Sequence, residues 1–164
     1  MLRFLVLTIT VFSLFSWGQN NDKLAYIIYD GDGKEVKYAK MLKDLNKAKV
    51  ILFGEFHDNP ISHWLQFEMT VDLYNSKREN LLLGAEMFEA DNQLIIDEYF
   101  KEQISAKSFQ NECRLWPNYN TDYKPILEFA KTQKRPFIAT NIPRRYASMV
   151  YKKGVESLYS IDSN

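Results

Sequence analysis

Residues 80–88 read NLLLGAEMF, and their interpretation decides the fold. Asn80 to Ala85 is a short, nearly continuous apolar run closed by Gly84, the pattern of a strand buried on both faces in a parallel sheet. Upstream, Lys49–Phe53 is a similar run, followed by Gly54-Glu55. Downstream, Pro136–Thr140 is a third. Between the first two, Asn59-Pro60 gives a cap residue and a proline suited to the first helical position. That helix extends to about Lys77. Trp64, Phe67, Val71 and Tyr74 form its apolar stripe, widened by Ile61, Leu65 and Met69. So wide a face predicts burial against a sheet.

The remaining elements follow from the same reasoning. Ala25–Tyr29 reads as a strand, and Asp30-Gly31-Asp32-Gly33 as a turn into Lys34–Tyr38. Tyr38–Ala48 is a short amphipathic helix carrying Met41, Leu42 and Leu45. Ala90–Glu102 is a helix with Leu94, Ile95 and Tyr99 inward. Ser105–Leu115 is irregular or weakly helical, and Trp116–Asn120 is a loop. Thr121 or Asp122 caps a helix to Gln133, since Pro125 is tolerated in a first turn. Pro143 opens a last helix to Lys153, stopped by Gly154. Strands alternating with helices predict βαβ units and an α/β architecture with a mainly parallel sheet. Three strands leave open edges, and Val155–Asn164 holds no closing element, so the fold reads as a truncated three-layer sandwich.

The chain has 164 residues, 21 Lys+Arg against 21 Asp+Glu, and 46% apolar residues. This composition supports one packed domain, residues 19–164, and argues against wholesale disorder. Balanced charge gives no footprint for nucleic acid. One cysteine, Cys113, excludes an internal disulfide and a Cys-rich zinc site. Residues 1–18 read as a signal peptide: Arg3, an apolar Phe4–Phe15 stretch too short to span a bilayer, then Ser16-Trp17-Gly18. An exported protein of the periplasm or cell envelope is expected, with no transmembrane segment after signal removal.

In an open parallel sheet, ligands bind beyond the carboxyl ends of the strands. There the sequence places Glu55, His57 and Asp58, then Glu86, then Asn141, Arg144 and Arg145. Each has a plainer reading. Asp58 or Asn59 serves as a helix cap, Glu55 and Glu86 serve as partners of the arginines, and His57 is a satisfied loop histidine. His63 reads as structural. Arg144 and Arg145 lie in the first turn of a helix, where positive charge opposes the dipole and an anion is welcome. Trp116, Tyr119, Tyr123 and Tyr146 suit a flat ligand or serve as packing groups with a polar handle.

Ile51–Asp58 (ILFGEFHD), Leu83–Phe88 (LGAEMF), the Trp116…Tyr123-x-Pro125 segment and Ile138–Ala147 (IATNIPRRYA) together resemble the ChaN-like haem-binding uptake family. The TIKI metalloproteases and erythromycin esterases belong to the same wider superfamily. The resemblance covers Leu24 to about Tyr159, the first half of the family domain. It implies an α/β sandwich, an envelope location, and haem as cofactor, bound between protomers through a tyrosine, hence a homodimer. Glu55, His57, Asp58, Glu86, Asn141, Arg144 and Arg145 match the family's motif positions. Tyr119, Tyr123 and Tyr146 are the candidate iron ligands. The reading is therefore a haem-binding protein of iron acquisition rather than an enzyme. The alternatives are a metal-dependent hydrolase using Glu55, His57 and Glu86, or an inactive fragment.

Overall fold

The computed structural model describes residues 24–77 and 80–161. The signal-peptide reading of residues 1–18, and the domain boundary after it, lie outside the described residues. The order is α1 (Tyr38–Leu45), α2 (Pro60–Lys77), β1 (Leu83–Glu89), α3 (Gln93–Phe100), α4 (Ala106–Glu112), α5 (Lys124–Thr132), β2 (Phe137–Asn141) and α6 (Arg144–Lys153). 3₁₀ helices precede α3 (Ala90–Asn92) and follow α6 (Val155–Ser160). A π-helical turn, Tyr119–Tyr123, leads into α5.

The two strands pair in parallel, Leu83 opposite Phe137 and Ala85 opposite Ala139, as βαβ connectivity requires. Gly84 permits this close approach. A Cβ there would lie 2.8 Å from Thr140 Cγ2 and 3.2 Å from the Ile138 carbonyl oxygen. The register then slips, so that Glu89 faces Asn141. This irregularity ends the alternation of burial and turns Met87, Phe88 and Glu89 inward together.

The outer edge of β2 is partly covered by a side chain. The Gln93 amide on α3 donates to the Phe137 carbonyl at 2.9 Å, and its oxygen accepts from the Ala139 N–H at 2.7 Å. One glutamine thus imitates a strand residue and satisfies the edge backbone.

Phe88, Phe109, Met87, Ile96 and Leu127 fill the centre, with Tyr99, Tyr119, Tyr123 and Phe137 around them. The aromatic richness of the sequence is therefore chiefly core. Phe88 meets Phe137 edge-on, while Tyr99 stacks on Phe109 with centroids 4.7 Å apart. Cys113 is buried there, and burial pushes its thiol up to about 11, away from reactivity.

Local signals are met closely. Asn59, not Asp58, caps α2: its Oδ1 accepts from the N–H groups of Ile61 and Ser62, both at 3.0 Å. The Asp30–Gly33 turn forms, with Tyr29 and Glu35 in an antiparallel bridge and Asp30 Oδ1 accepting from the Asp32 and Lys34 N–H groups. Gly154 ends α6 at φ +82°.

Several expectations are corrected. Ala25–Tyr29 forms no strand beyond the single Tyr29–Glu35 bridge, Ser105–Leu115 holds the regular helix α4, and α5 starts after Tyr123 with no side-chain cap from Thr121 or Asp122. Lys49–Phe53 forms no strand and joins no ladder among the described residues, with Leu52 91% and Val50 75% exposed. Apolar character makes a run suitable for a sheet interior, but a strand also needs a neighbour to complete its ladder. On α2 the buried residues are His63, Met69, Thr70 and Leu73, while Trp64 and Ile61 remain exposed. The helix packs against α5 and the π-helical turn rather than broadly on a sheet. On α3, Leu94 is exposed and Ile96 takes the inward position. The preceding 3₁₀ turn sets that phase.

Candidate functional site

The loop from Gly54 to Asn59 carries the first group of residues. Asn59 fixes the start of α2, and α2 presents His63 and Gln66 towards the loop on one face, three residues apart. From the other side, the π-helical turn presents Tyr123 and Asp122. Such a turn inserts an extra residue, closed here by the Lys124 N–H donating to the Tyr119 carbonyl.

These elements converge on Glu55. Tyr123 Oη donates to Glu55 Oε1 at 2.5 Å. Gln66 Nε2 donates to Oε2. His57 Nδ1 lies 3.2 Å from Oε1, and His63 Nδ1 lies 3.5 Å from Oε2. Burial alone would raise the Glu55 carboxyl. The bonds from Tyr123, Gln66 and His57, with the charge of His63, outweigh it and hold the group below the usual carboxylate value. Tyr123 responds oppositely. Burial, then the bond to Glu55 and the charges of Glu55, Asp122 and Glu86, raise its hydroxyl well above the ordinary value. Tyr123 is thus a committed donor to Glu55.

The His57 carbonyl is held as firmly as its ring. Asn118 Nδ2 donates to it at 2.6 Å and to Asp122 Oδ2 at 2.7 Å. His63 Nε2 lies 3.1 Å from the same carbonyl. The His57 imidazole itself remains exposed, edge-on to Trp116 at 4.6 Å between centroids. Trp116 in turn meets Tyr123 at 5.5 Å. Phe56, beside His57, is 78% exposed. The loop thus offers an imidazole and aromatic surface from a rigid polar base.

The arginines belong to a second group. Glu89, turned inward by the register slip, accepts from the Arg144 backbone N–H at 2.7 Å and from Arg114 Nε at 3.2 Å. A carboxylate therefore occupies the positive end of α6. Asp91 pairs with Arg114 and Arg145. Burial would raise Asp91, but the two guanidinium groups hold it below its usual value. Arg145 also lies over the Tyr146 ring at 4.7 Å. The Arg144 side chain is largely exposed, its Nε 3.8 Å from Glu89 Oε1.

The sequence-derived residues thus divide. Glu55, His57 and Tyr123 come together, with Glu86 exposed within electrostatic reach of Tyr123. Asp58 is exposed on the same loop. Arg144, Arg145 and Tyr146 form the other group, with Asn141 opposite Glu89 in the ladder. Glu55 is not an arginine partner: its partners are neutral donors and histidines, and the arginines take Glu89 and Asp91. Tyr119 stands apart. It is buried between Phe88 and Phe109, its hydroxyl has no hydrogen-bond partner among the described residues, and burial raises its pKa. Its place is the core.

Gln66, Asn118, Glu89, Asp91 and Arg114 escaped the sequence reading, which took His63 as structural and Asp122 only as a helix-cap candidate. The His63/Gln66 spacing was a usable signal, because it puts both polar side chains on one helix face. Glu89 had none, because a strict alternation along β1 places it elsewhere.

Comparison with known proteins now bears on this arrangement. None of the curated proteins searched matches the chain. Among solved structures, cofacial haem-binding ChaN of Campylobacter jejuni matches with a TM-score of 0.58 and 23% identity, over 78% of this chain and 52% of that one. The chain therefore spans about half the length of that structure, and the likeness shows a shared α/β fold. The family model described as haem-binding uptake, Tiki superfamily, ChaN, matches residues 41–164. That match takes in the Glu55 loop, both strands and the arginine group, and the chain belongs to this ChaN family of the Tiki superfamily.

Proposed function

We propose that the chain is a haem-binding protein acting in iron acquisition outside the cytoplasmic membrane. The observation that carries the reading is the exposed His57 ring beside Trp116 and Phe56, on a loop fixed by Glu55, in a chain of a haem-binding uptake family. The donor set suits the group. A flat macrocycle favours aromatic and imidazole surface, and its propionates favour arginine. Bound haem would bring the iron; the protein supplies the surface, the orientation and the counter-charge.

Within this reading, Glu55, His57, Asp58, Glu86 and Tyr123 build one part of the binding surface. Asn141, Arg144, Arg145 and Tyr146 build another, with Arg144 the arginine best able to meet a propionate. Tyr146, half-buried beside Arg145, takes precedence as tyrosine ligand over Tyr123, committed to Glu55, and Tyr119, enclosed in the core. The cell envelope as location, export by residues 1–18, and a homodimer sharing the ligand are parts of the same proposal. No helix among the described residues is long and apolar enough to cross a membrane.

Hemin titration of the purified chain tests the reading. A saturable Soret shift, weakened by Arg144→Ala and altered in shape by Tyr146→Phe, is expected. A titration showing only the linear absorbance of free hemin overturns it.

A further inference from the structure

Trp116, Asn118 and Tyr123 meet the 55–58 loop from one segment, and they differ in what they hold. Trp116 touches the His57 ring, at 4.6 Å between centroids. Tyr123 Oη donates to the Glu55 carboxylate at 2.5 Å. Both contacts join side chain to side chain, and side chains turn about their own torsions. Of the three, only Asn118 reaches backbone: its Nδ2 donates to the His57 carbonyl at 2.6 Å. The same nitrogen donates to Asp122 Oδ2 at 2.7 Å, so both of its hydrogens are spent. A carbonyl only accepts, which sets the amide with its nitrogen towards the loop. Asn118 is itself firmly seated. Its carbonyl accepts from the Asp122 N–H at 3.0 Å and from Thr121 Oγ1 at 3.1 Å. The next N–H, of Tyr119, donates to the Trp116 carbonyl at 3.0 Å. The His57 carbonyl has a second neighbour, His63 Nε2 at 3.1 Å. That contact comes from α2, six positions along the chain, and ties the loop to the helix it leads into. Asn118 stands 61 positions away and brings the aromatic segment to the same atom.

We propose that Asn118 is the positioning residue of this site: it registers the Trp116–Tyr123 segment on the 55–58 loop, and so seats the exposed His57 ring against Trp116. A peptide unit is planar, so holding the His57 carbonyl holds the whole unit that follows His57. The ring then keeps only its own side-chain torsions. Glu55 Oε1, 3.2 Å from Nδ1, and the Trp116 ring limit those. Without the Asn118 donor, the loop backbone is free to carry the His57 ring away from Trp116, whatever Tyr123 does at Glu55. The arrangement is a property of the protein without ligand. Only its consequence for hemin rests on the reading proposed above.

Amide exchange and the His57 ring signals of the labelled protein at neutral pH test the assignment. The chain has two histidines, and a His57→Asn variant identifies their signals. Trp116→Leu supplies the shifts of a His57 ring without its aromatic neighbour. In Asn118→Ala the Phe56–Asn59 amides should exchange about tenfold faster or more, while those of β1 and β2 keep their protection. The His57 ring signals should move at least half of the way to those of Trp116→Leu. Asn118→Asp keeps the shape but sets oxygen against two acceptors, so it should disturb loop and ring at least as much as Asn118→Ala. Unchanged loop exchange and ring signals in Asn118→Ala, or a smaller disturbance in Asn118→Asp, overturn the proposal. Should neither variant fold, the wild-type side chain decides: slow exchange of both Asn118 Nδ2 protons is expected, and exchange as fast as a free amide overturns it. Hemin affinity should fall about tenfold or more in Asn118→Ala, as for other outer-sphere partners. An equal affinity with the loop released would remove Asn118 from the binding surface. Loop and ring responses in a wild type that binds no hemin would sink the haem reading alone; hemin binding with an unresponsive loop and ring would sink this one alone.

Discussion

Glu55 shows how three neutral or cationic donors overcome burial at one carboxylate. Its folded pKa is depressed, so the sign of its linkage is fixed: the stabilisation is present above the unfolded value and lost as pH falls through the folded one. With an ordinary value of 4.5, loss of stability is expected as the pH drops below about that value. Urea melts at successive pH values should show this decline. Glu55→Gln should flatten it while lowering stability at neutral pH, and an unchanged pH slope in that variant would remove Glu55 from the account. This residue was legible in the sequence because Gly-Glu at a predicted strand end is an unusual place for a carboxylate. Its partners were not. Gln66 and Tyr123 lie 11 and 68 positions away, and only folding brings them within hydrogen-bond reach.

Elements join through a few side chains that act as backbone substitutes. Gln93 closes the edge of β2, so Gln93→Leu should expose or orphan two backbone groups and cost about 1–3 kcal/mol in urea denaturation. Glu89 does the same for the start of α6 while neutralising Arg114. Glu89→Gln, judged by thermal melting and by amide exchange at Arg144, should cost about 1–3 kcal/mol and loosen the first turn of α6 before β1. Gly84 admits β2 at close range. Gly84→Ala should cost about 1–3 kcal/mol, because its new methyl meets Thr140 and a backbone oxygen that cannot yield easily. A variant as stable as the wild type would mean that the strands separate more readily than their register implies. Approximate helix limits, the Asn59 cap and the Gly154 stop were readable, since each rests on neighbours within a few residues. The slip between Ala85 and Glu89 was not, and it alone turns Glu89 inward.

Across the whole molecule, apolar surface is divided unevenly. The core around Phe88 and Leu127 is closed, whereas Val50–Phe53 lies outside any strand with Leu52 almost wholly exposed. Leu127→Ala should therefore cost about 2–5 kcal/mol through loss of buried methyl groups and the cavity left behind. Leu52→Ser should change the denaturation midpoint by no more than the equivalent of about 0.5 kcal/mol. A large loss at Leu52 would show that this segment is covered in solution.

The sequence alone determined the α/β class, most of the helices, two of the three segments it expected as parallel strands and the glycine–glutamate loop that carries His57. These follow from periodicity, capping and turn chemistry, which act over a few residues. Tertiary structure decided what each polar group does. It gave the arginines to Glu89 and Asp91, sent Tyr119 to the core, tied Tyr123 to Glu55 and set His63 beneath His57. It also left Val50–Phe53 unpaired, although the run looks no different from those that formed strands. The physical reason is the same in each case. Hydrogen bonds, ion pairs and strand ladders require two partners at a fixed distance, and a sequence specifies each partner long before it specifies their meeting.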